Sequence, residues 1–184
     1  MNLPSVSFSP KYLSKVSSWH EHLHFAYDLV SSQLPKVIVE LGVHYGDSYF
    51  TFCQSIKENE LNCKCYGIDS WKGENHCGQY GEEVWEIVKK YNEENYSNFS
   101  HLIRKTFESA VSDFEDRTID LLHIDGLHTY EAVKSDFLTW LPKVSSEGII
   151  LLHDIEEFRD DFGVHELWQE IQKKYSCFSF NHGH

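Results

Sequence analysis

Acidic and imidazole side chains follow two apolar segments of the sequence. Asp125 and His128 come directly after the apolar segment 119–124, and His153 and Asp154 follow a second one. An imidazole, with an ordinary pKa of about 6.5, can take a proton from a hydroxyl group near neutral pH. A divalent cation held by carboxylates can stabilise the charge that develops on an oxygen. The pattern therefore predicts chemistry on an oxygen atom, and the alternative for His128 is a helix-start residue bonded to the backbone.

A glycine turn lies near the start of the chain. Residues 36–48 read Lys-Val-Ile-Val-Glu-Leu-Gly-Val-His-Tyr-Gly-Asp-Ser, which predicts a buried strand, a turn and the start of a helix. Gly42 and Gly46 would let the backbone approach a ligand closely, and Asp47 or Ser48 could cap the helix. The free N–H groups at the helix start would offer hydrogen-bond donors. A tight turn without a ligand is the alternative, because short glycine patterns are weak signals.

Two more acidic residues lie at predicted strand ends. Glu40 interrupts the first strand where a core residue is expected, and Asp69 follows the second predicted strand, 63–68. In nucleotide-binding α/β folds, a carboxylate about twenty residues after the glycine turn accepts hydrogen bonds from the ribose hydroxyls. For Asp69 this predicts a ribose contact, with a capping or surface aspartate as the alternative.

The segment 70–81 is too long and too rich in polar and aromatic residues for a plain connector. Segments of this length are often lids or substrate walls. Its aromatic residues and the following Trp85 predict either a sugar-stacking wall or a packed cap; they are Trp71, His76, Tyr80 and Trp85.

The apolar periodicity supplies the elements that must position these residues. Beyond the first strand and the helix after the glycine turn, it predicts helices over 19–34, 82–91, 107–114, 130–141 and 164–175, and strands over 63–68, 101–105, 119–124, 148–152 and 177–180. This alternation predicts an α/β, Rossmann-like fold: an open, mostly parallel sheet with helices on both faces. Ligands of such sheets bind beyond the carboxyl ends of the strands, so the residues named above are expected at one rim. We expect an N-terminal arm over 1–18 and a single domain over 19–184.

Composition limits the partners. The net charge is −13, from 29 acidic and 16 basic residues, which disfavours nucleic acid and an anionic membrane surface. Five cysteines, an odd number without zinc-ribbon spacing, favour a reducing compartment. Neither a leader segment nor a membrane-spanning run is recognisable in the sequence. We therefore expect a soluble, cytoplasmic protein with a small-molecule partner, which could form a homodimer.

Four motifs resemble those of one enzyme family. They are Val-Glu-Leu-Gly-Val-His-Tyr-Gly-Asp-Ser (39–48), Gly-Ile-Asp-Ser-Trp-Lys-Gly-Glu (67–74), Ile-Asp-Leu-Leu-His-Ile-Asp-Gly-Leu-His-Thr-Tyr-Glu-Ala-Val (119–133) and Gly-Ile-Ile-Leu-Leu-His-Asp (148–154). With these motifs the chain resembles class I S-adenosylmethionine-dependent methyltransferases. More narrowly, it is similar to the small sugar and natural-product enzymes that group with macrocin O-methyltransferase and cephalosporin hydroxylase-like proteins.

The resemblance implies that S-adenosylmethionine lies across the first two strand ends. Gly42, Gly46 and Glu40 would lie near its methionine part, Asp69 would bind the ribose, and the region after the third strand would frame the adenine. The cofactor-binding residues that it implies are Glu40, Gly42, Gly46, Ser48, Asp69, Thr106, Phe107 and Asp125.

The resemblance also implies a metal site. Metal-dependent members have an Asp-x-x-His pair after the fourth strand and acidic residues after the fifth, which makes Asp125 and Asp154 ligands and Asp125 and His128 the catalytic pair. His153 stands where those members place another carboxylate, so Asp125, His153 and Asp154 form the implied ligand set. Mg²⁺ or Mn²⁺ is the expected ion, although a set with an imidazole accepts Mg²⁺ less readily than an all-oxygen set.

Together these features predict an O-methyltransferase acting on a hydroxyl of a sugar or secondary metabolite. A non-catalytic cofactor-binding domain of a glycan-modifying system is one alternative. An NAD-dependent oxidoreductase is another, although the turn lacks the Gly-x-Gly-x-x-Gly pattern. Enzymes of this superfamily usually end in a two-stranded hairpin, of which only the strand 177–180 is recognisable, so the chain could be a fragment of a longer protein.

Overall fold

The computed structural model describes residues 8–16, 18–73 and 80–179. Its helices are α1 (Leu23–Gln33), α2 (Asp47–Glu58), α3 (Glu82–Asn95), α4 (Phe107–Ala110), α5 (Tyr130–Trp140) and α6 (Val164–Ile171). Its strands are β1 (Val37–Leu41), β2 (Lys64–Asp69), β3 (Ser100–Arg104), β4 (Ile119–Ile124) and β5 (Val144–Leu152). None of the helices in the described part of the chain is long and apolar enough to cross a membrane.

The five strands form one parallel sheet in the order β3-β2-β1-β4-β5. The order reverses at β1, which lies between β2 and β4. The strand ends are aligned there, because Leu41 pairs with Ile68 on one side and with Ile124 on the other. Side chains that follow β1, β2 and β4 therefore emerge at the same edge, beside the switch point where ligands of such sheets bind. The predicted Rossmann-like fold is confirmed.

Apolar side chains alternate between the two faces of the sheet and pack under different helices. In β1, Ile38 joins a core with α1, α2 and α3, whereas Val39 and Leu41 join a second core with α4, α5 and α6. Both cores are built from buried residues, and burial of each large side chain contributes about 1.5–3 kcal/mol. This double coverage explains why the strands read as continuous apolar runs in the sequence.

Several predicted boundaries differ from the structure. The first helix begins at Leu23 and not at position 19, because Trp19 lies in a turn that carries its side chain toward the end of β4. β5 begins at Val144 and not at 148, and its pairing with β4 has a register shift near Ile119. The helix predicted over 107–114 is α4 followed by a 3-10 turn.

The predicted sixth strand, 177–180, is wrong over its described part. Residues 177–179 form no strand, and position 180 lies outside the described residues. Phe178 is 85% exposed, so the alternation of apolar residues there does not correspond to a buried face. The predicted helix 164–175 likewise ends earlier, as α6 stops at Ile171.

Candidate functional site

The loop between β1 and α2 requires glycine at two positions. Gly42 has φ +94°, and a Cβ there would lie 1.9 Å from the backbone oxygen of Asp125. Gly46 has φ +92° directly before α2, and its Cβ would lie 2.7 Å from the ring of Phe50. Left-handed φ and the absence of space both exclude a larger residue. The backbones after β1 and β4 are thus in direct contact at the switch point.

Glu40 is completely buried beneath this loop. Ser48 donates a hydrogen bond of 2.5 Å to its Oε1, and the Nδ1 atom of His123 lies 3.5 Å from the same oxygen. Burial raises the pKa of Glu40, although His123 and Ser48 act in the opposite direction. Its second oxygen, Oε2, is buried without a hydrogen-bond partner among the described residues. The site therefore retains one buried acceptor next to the glycine loop. His123 is also completely buried, and neither of its ring nitrogens makes a hydrogen bond within the described part of the chain.

Asp69, at the end of β2, joins two loops. Its Oδ2 accepts hydrogen bonds from the backbone N–H groups of Val43 (3.1 Å) and His44 (2.9 Å), and its Oδ1 accepts one from Trp71 (2.7 Å). The Tyr80 hydroxyl donates a fourth, at 3.3 Å, to Oδ2. A ribose at this carboxylate would have to share it with these donors.

A cleft lies between the ends of β1, β2 and β4, and we call it the β2-side cleft. It is lined by Gly42, His44, Asp69, Ser70, Gly73, Tyr80, Lys105, Thr106, Phe107, Asp125, Gly126 and Leu127. Thr106 caps α4, accepting a hydrogen bond from the Ser109 N–H. The ring of Phe107 packs against Gly126, where a Cβ would lie 2.4 Å from it. The ring of Phe107 and the carboxylate of Asp69 are suited to binding a nucleoside. The unpaired Oε2 atom of Glu40 lies beneath the neighbouring loop between β1 and α2.

Two carboxylates and two imidazoles meet beyond β4 and β5. His128 Nε2 lies 2.9 Å from Asp154 Oδ2 and 3.4 Å from Asp125 Oδ1. His153 Nδ1 lies 3.1 Å from Asp154 Oδ1 and 3.7 Å from Asp125 Oδ1. Asp154 adopts the left-handed conformation, with φ +57°, which is uncommon outside glycine and is frequent at functional sites. The four predicted residues are therefore in one cluster.

The charges of this cluster perturb one another. Burial alone would raise the pKa of Asp125, but the imidazoles of His153, His128 and His123 hold it well below its usual range. The pKa of Asp154 is lowered to about 2 for the same reason. Burial would lower the pKa of His128, yet its hydrogen bonds to both carboxylates raise it to about 10, and the pKa of His153 is raised as well. Without a cation the cluster thus holds protons at neutral pH.

The donor atoms suit a divalent cation. Ligating atoms of Asp125, His128 and Asp154 all lie within 4.8 Å of one another. Two carboxylate oxygens and one imidazole nitrogen accept Mn²⁺, Fe²⁺ or Zn²⁺ more readily than Mg²⁺. This group contains His128, whereas the resemblance implied His153 as the third ligand.

A second cleft opens onto this cluster, and we call it the β5-side cleft. Besides the cluster it is lined by Val16, Ser18, Trp19, Gly42, Val43, His44, Tyr45, Gly46, Asp47, Ser48, Arg159 and Phe162. Gly42, His44 and Asp125 line both clefts, so the two are adjacent. Trp19 and Phe162 are contributions that the sequence did not predict. Phe162 stacks on His128 with 4.7 Å between ring centroids.

The aromatic cluster after β2 is mainly a packed cap. Trp71 is only 1% exposed and packs against Trp85, with 4.6 Å between ring centroids. Tyr80 is half-buried, lines the β2-side cleft and packs against His44. Position 76 lies outside the described residues. Trp71 is therefore not available to stack on a sugar.

The sequence profile of a family described as "Methyltransferase domain" matches residues 39–155, which is more than half of the chain and includes both clefts' strand ends. The chain belongs to this methyltransferase family. Membership confirms the predicted methyltransferase domain and favours it over the oxidoreductase alternative.

Relatives and solved structures are similar to this methyltransferase domain. The uncharacterized protein y4gI of Sinorhizobium fredii is 42% identical over 185 residues, which cover 100% of this chain and 20% of that protein. The chain thus spans about a fifth of the length of this relative. Cofactor-bound Rv0187 from MTB has a TM-score of 0.64 at 10% identity, over 92% of this chain and 72% of that one. The O-methyltransferase TomG from Streptomyces achromogenes, solved with SAM, has a TM-score of 0.62 at 12% identity, over 85% and 69%. At these identities the structures show the shared fold.

Proposed function

We propose that this methyltransferase domain transfers the methyl group of S-adenosylmethionine to a hydroxyl oxygen of a small molecule, a sugar or secondary metabolite, with help from a divalent cation. The observation that carries the proposal is the shared wall of the two clefts. Gly42 and Asp125 line both clefts. A methyl donor in the β2-side cleft and an acceptor in the β5-side cleft would therefore meet at the cluster of two carboxylates and two imidazoles beyond β4 and β5.

In the β2-side cleft the proposed donor contacts follow the chemistry of the lining. The ring of Phe107 and the neighbouring Thr106 would flank the adenine, and Asp69 would accept hydrogen bonds from the ribose. The backbone at Gly42 lines both clefts and would lie beside the methionine part. The loop continues from there to Gly46, and Ser48 holds the carboxylate of Glu40 beneath it. The bound donor would supply an electrophilic methyl group on a sulfonium. An oxygen nucleophile would form a C–O bond to this methyl carbon as its C–S bond breaks, and S-adenosylhomocysteine would leave as a neutral thioether.

In the β5-side cleft, Asp125, Asp154 and His128 would hold the cation. The bound cation supplies positive charge that stabilises a hydroxyl oxygen as it loses its proton. His128 is favoured as the third ligand because its Nε2 lies within 3.4 Å of both carboxylates. His153 then remains as the base that takes the proton, which exchanges the roles that the sequence suggested for the two histidines.

Binding measurements with two histidine variants test this division of roles. We expect His128→Ala to lose Mn²⁺ affinity, whereas His153→Ala should bind Mn²⁺ within a few-fold of the wild type and lose turnover. Mn²⁺ and S-adenosylhomocysteine affinities would be measured calorimetrically. Turnover would be measured as S-adenosylhomocysteine formation with a panel of sugars, nucleotide sugars and catechols. The reverse pattern would restore His128 as base and His153 as ligand.

The same measurements separate the proposal from a non-catalytic domain. A binding domain would bind S-adenosylhomocysteine and show no turnover with any acceptor of the panel. Failure of the wild type to bind S-adenosylhomocysteine at all would refute the assignment of the β2-side cleft. Turnover that persists after complete removal of divalent cations would refute the metal assistance and leave the rest of the proposal intact.

A further inference from the structure

Trp19 contacts three groups of the site from outside the central sheet. Its indole Nε1 donates a hydrogen bond of 2.7 Å to Asp125 Oδ2, across 106 positions of sequence. Its ring stacks on His153 with centroids 5.0 Å apart and meets His123 edge-on at 4.8 Å. With 8% of its surface exposed, the side chain is buried among these groups.

The segment that precedes Trp19 in the sequence is bonded to the start of α2. The Tyr12 hydroxyl donates to the backbone oxygen of Tyr45 at 2.7 Å, and the Ser14 N–H donates to Asp47 at 2.8 Å. These bonds tie residues 8–16 to the loop that precedes α2, next to the β5-side cleft. The backbone oxygen of Trp19 itself accepts a hydrogen bond of 3.0 Å from the His22 N–H, in the turn before α1. The indole therefore approaches Asp125 from a hydrogen-bonded turn.

The two oxygens of Asp125 have different environments. Oδ2 faces the indole N–H, whereas Oδ1 lies 3.4 Å from His128 Nε2 and 3.7 Å from His153 Nδ1. Rotation of the carboxylate would break the indole bond. A hydrogen bond to the outer oxygen of a ligating carboxylate fixes its orientation, and loss of such a partner commonly weakens metal binding 10- to 100-fold.

We infer that Trp19 is a positioning residue that holds Asp125 for one-oxygen coordination of the cation. This inference rests on the proposed function, because it requires the cation at Asp125. It also has a consequence for selectivity. Small ions with few ligands use one oxygen of a carboxylate, whereas Ca²⁺ often takes both. Holding Oδ2 away from the ion therefore favours Mn²⁺ over Ca²⁺.

Trp19→Phe tests the inference, since it keeps an aromatic ring and removes the N–H. We expect Mn²⁺ affinity to fall 10- to 100-fold and Ca²⁺ affinity to fall less, so the ratio of Mn²⁺ affinity to Ca²⁺ affinity should decrease. S-adenosylhomocysteine affinity should stay within about twofold of the wild type. Trp168→Phe on α6 is the matched control and should leave both ion affinities unchanged. A merely structural role would lower thermal stability without changing the ratio of the two ion affinities.

The outcomes separate the inference from the proposed function. Equal Mn²⁺ affinity in Trp19→Phe and wild type overturns the inference alone. Absence of Mn²⁺ binding to the wild type overturns both the metal part of the proposed function and the inference. Should Trp19→Phe fail to fold, the wild type labelled with ¹⁵N at its indoles provides a second readout. Substoichiometric Mn²⁺ should broaden one indole N–H resonance first, and uniform or absent broadening would contradict the placement of Trp19 at the ion.

Discussion

Cation binding should release protons and strengthen as the pH rises. His128 has a pKa raised to about 10 by Asp125 and Asp154, so its imidazole is charged at neutral pH. A metal ligand must be the neutral imidazole, and binding must therefore displace the proton. About one in a thousand His128 side chains is neutral at pH 7 and about one in a hundred at pH 8, which gives a roughly tenfold gain in affinity per pH unit.

Calorimetric titration with Mn²⁺ between pH 6.5 and 8.5 measures this effect. In two buffers of different ionisation enthalpy, the heat difference at pH 8 should correspond to about one proton released per ion by His128, with a further contribution from His153. His128→Ala should flatten the pH dependence. Mn²⁺ binding with a constant affinity across this range, or with no proton release, would refute the proposed exchange of proton for cation.

The same pKa affects stability in the absence of cations. Unfolded His128 would titrate near 6.5 and the folded residue near 10, so the stabilisation is complete below pH 6.5 and is lost as the pH rises toward 10. Within that window His128 alone should lower the free energy of unfolding by up to about 1.4 kcal/mol per pH unit. The raised pKa of His153 acts in the same direction. Urea unfolding at pH 7 and pH 9 measures the slope. Asp125 and Asp154 do not contribute to this slope, because both carboxylates are ionised between pH 7 and pH 9 in the folded and in the unfolded protein.

Three substitutions test the glycine loop and its carboxylates. Gly42→Ala should destabilise the protein by about 3 kcal/mol or more and abolish S-adenosylhomocysteine binding, because its Cβ would lie 1.9 Å from the backbone of Asp125. Asp69→Asn should cost about 2–4 kcal/mol, because three backbone N–H groups lose a charged acceptor, and should weaken S-adenosylhomocysteine binding at least tenfold. Glu40→Gln should become more stable relative to the wild type as the pH rises above 4.5, because burial raises the pKa of the Glu40 carboxyl and ionising it in the folded protein is unfavourable. It should also bind S-adenosylhomocysteine about tenfold more weakly or worse.

Matched controls exist for these substitutions. Gly81→Ala places a Cβ only near the mobile end of the Glu83 side chain and should change stability by less than about 1 kcal/mol. Asp116→Asn alters an exposed ion pair with Lys143 and should change stability by less than about 0.5 kcal/mol. Normal cofactor binding by Gly42→Ala would contradict the steric argument. A stability difference between Glu40→Gln and the wild type that is the same at pH 4.5 and pH 9 would contradict the burial argument.

The sheet and its rim were predictable because they follow from periodicity. The buried strand 119–124 has the predicted bounds, and the polar residues after β4 and β5 converge because parallel strands end at a common edge. Trp19 and Phe162 were not predictable in this way. Both lie in irregular segments, and a contact that spans 106 positions leaves no local pattern. The hydrogen bonds from backbone N–H groups to Asp69 could not be predicted from the sequence either, because they depend on how two loops fold around one carboxylate.

Asp125 connects the two halves of the proposed chemistry. Its backbone oxygen limits position 42 to glycine, which shapes the cleft assigned to the donor. Its side chain faces two imidazoles on one oxygen and the Trp19 indole on the other. A shift of the β4 end would therefore alter the donor cleft and the cation site together. In the proposed function, the close contact between Gly42 and Asp125 would therefore fix the position of the methyl donor in one cleft relative to the cation in the other.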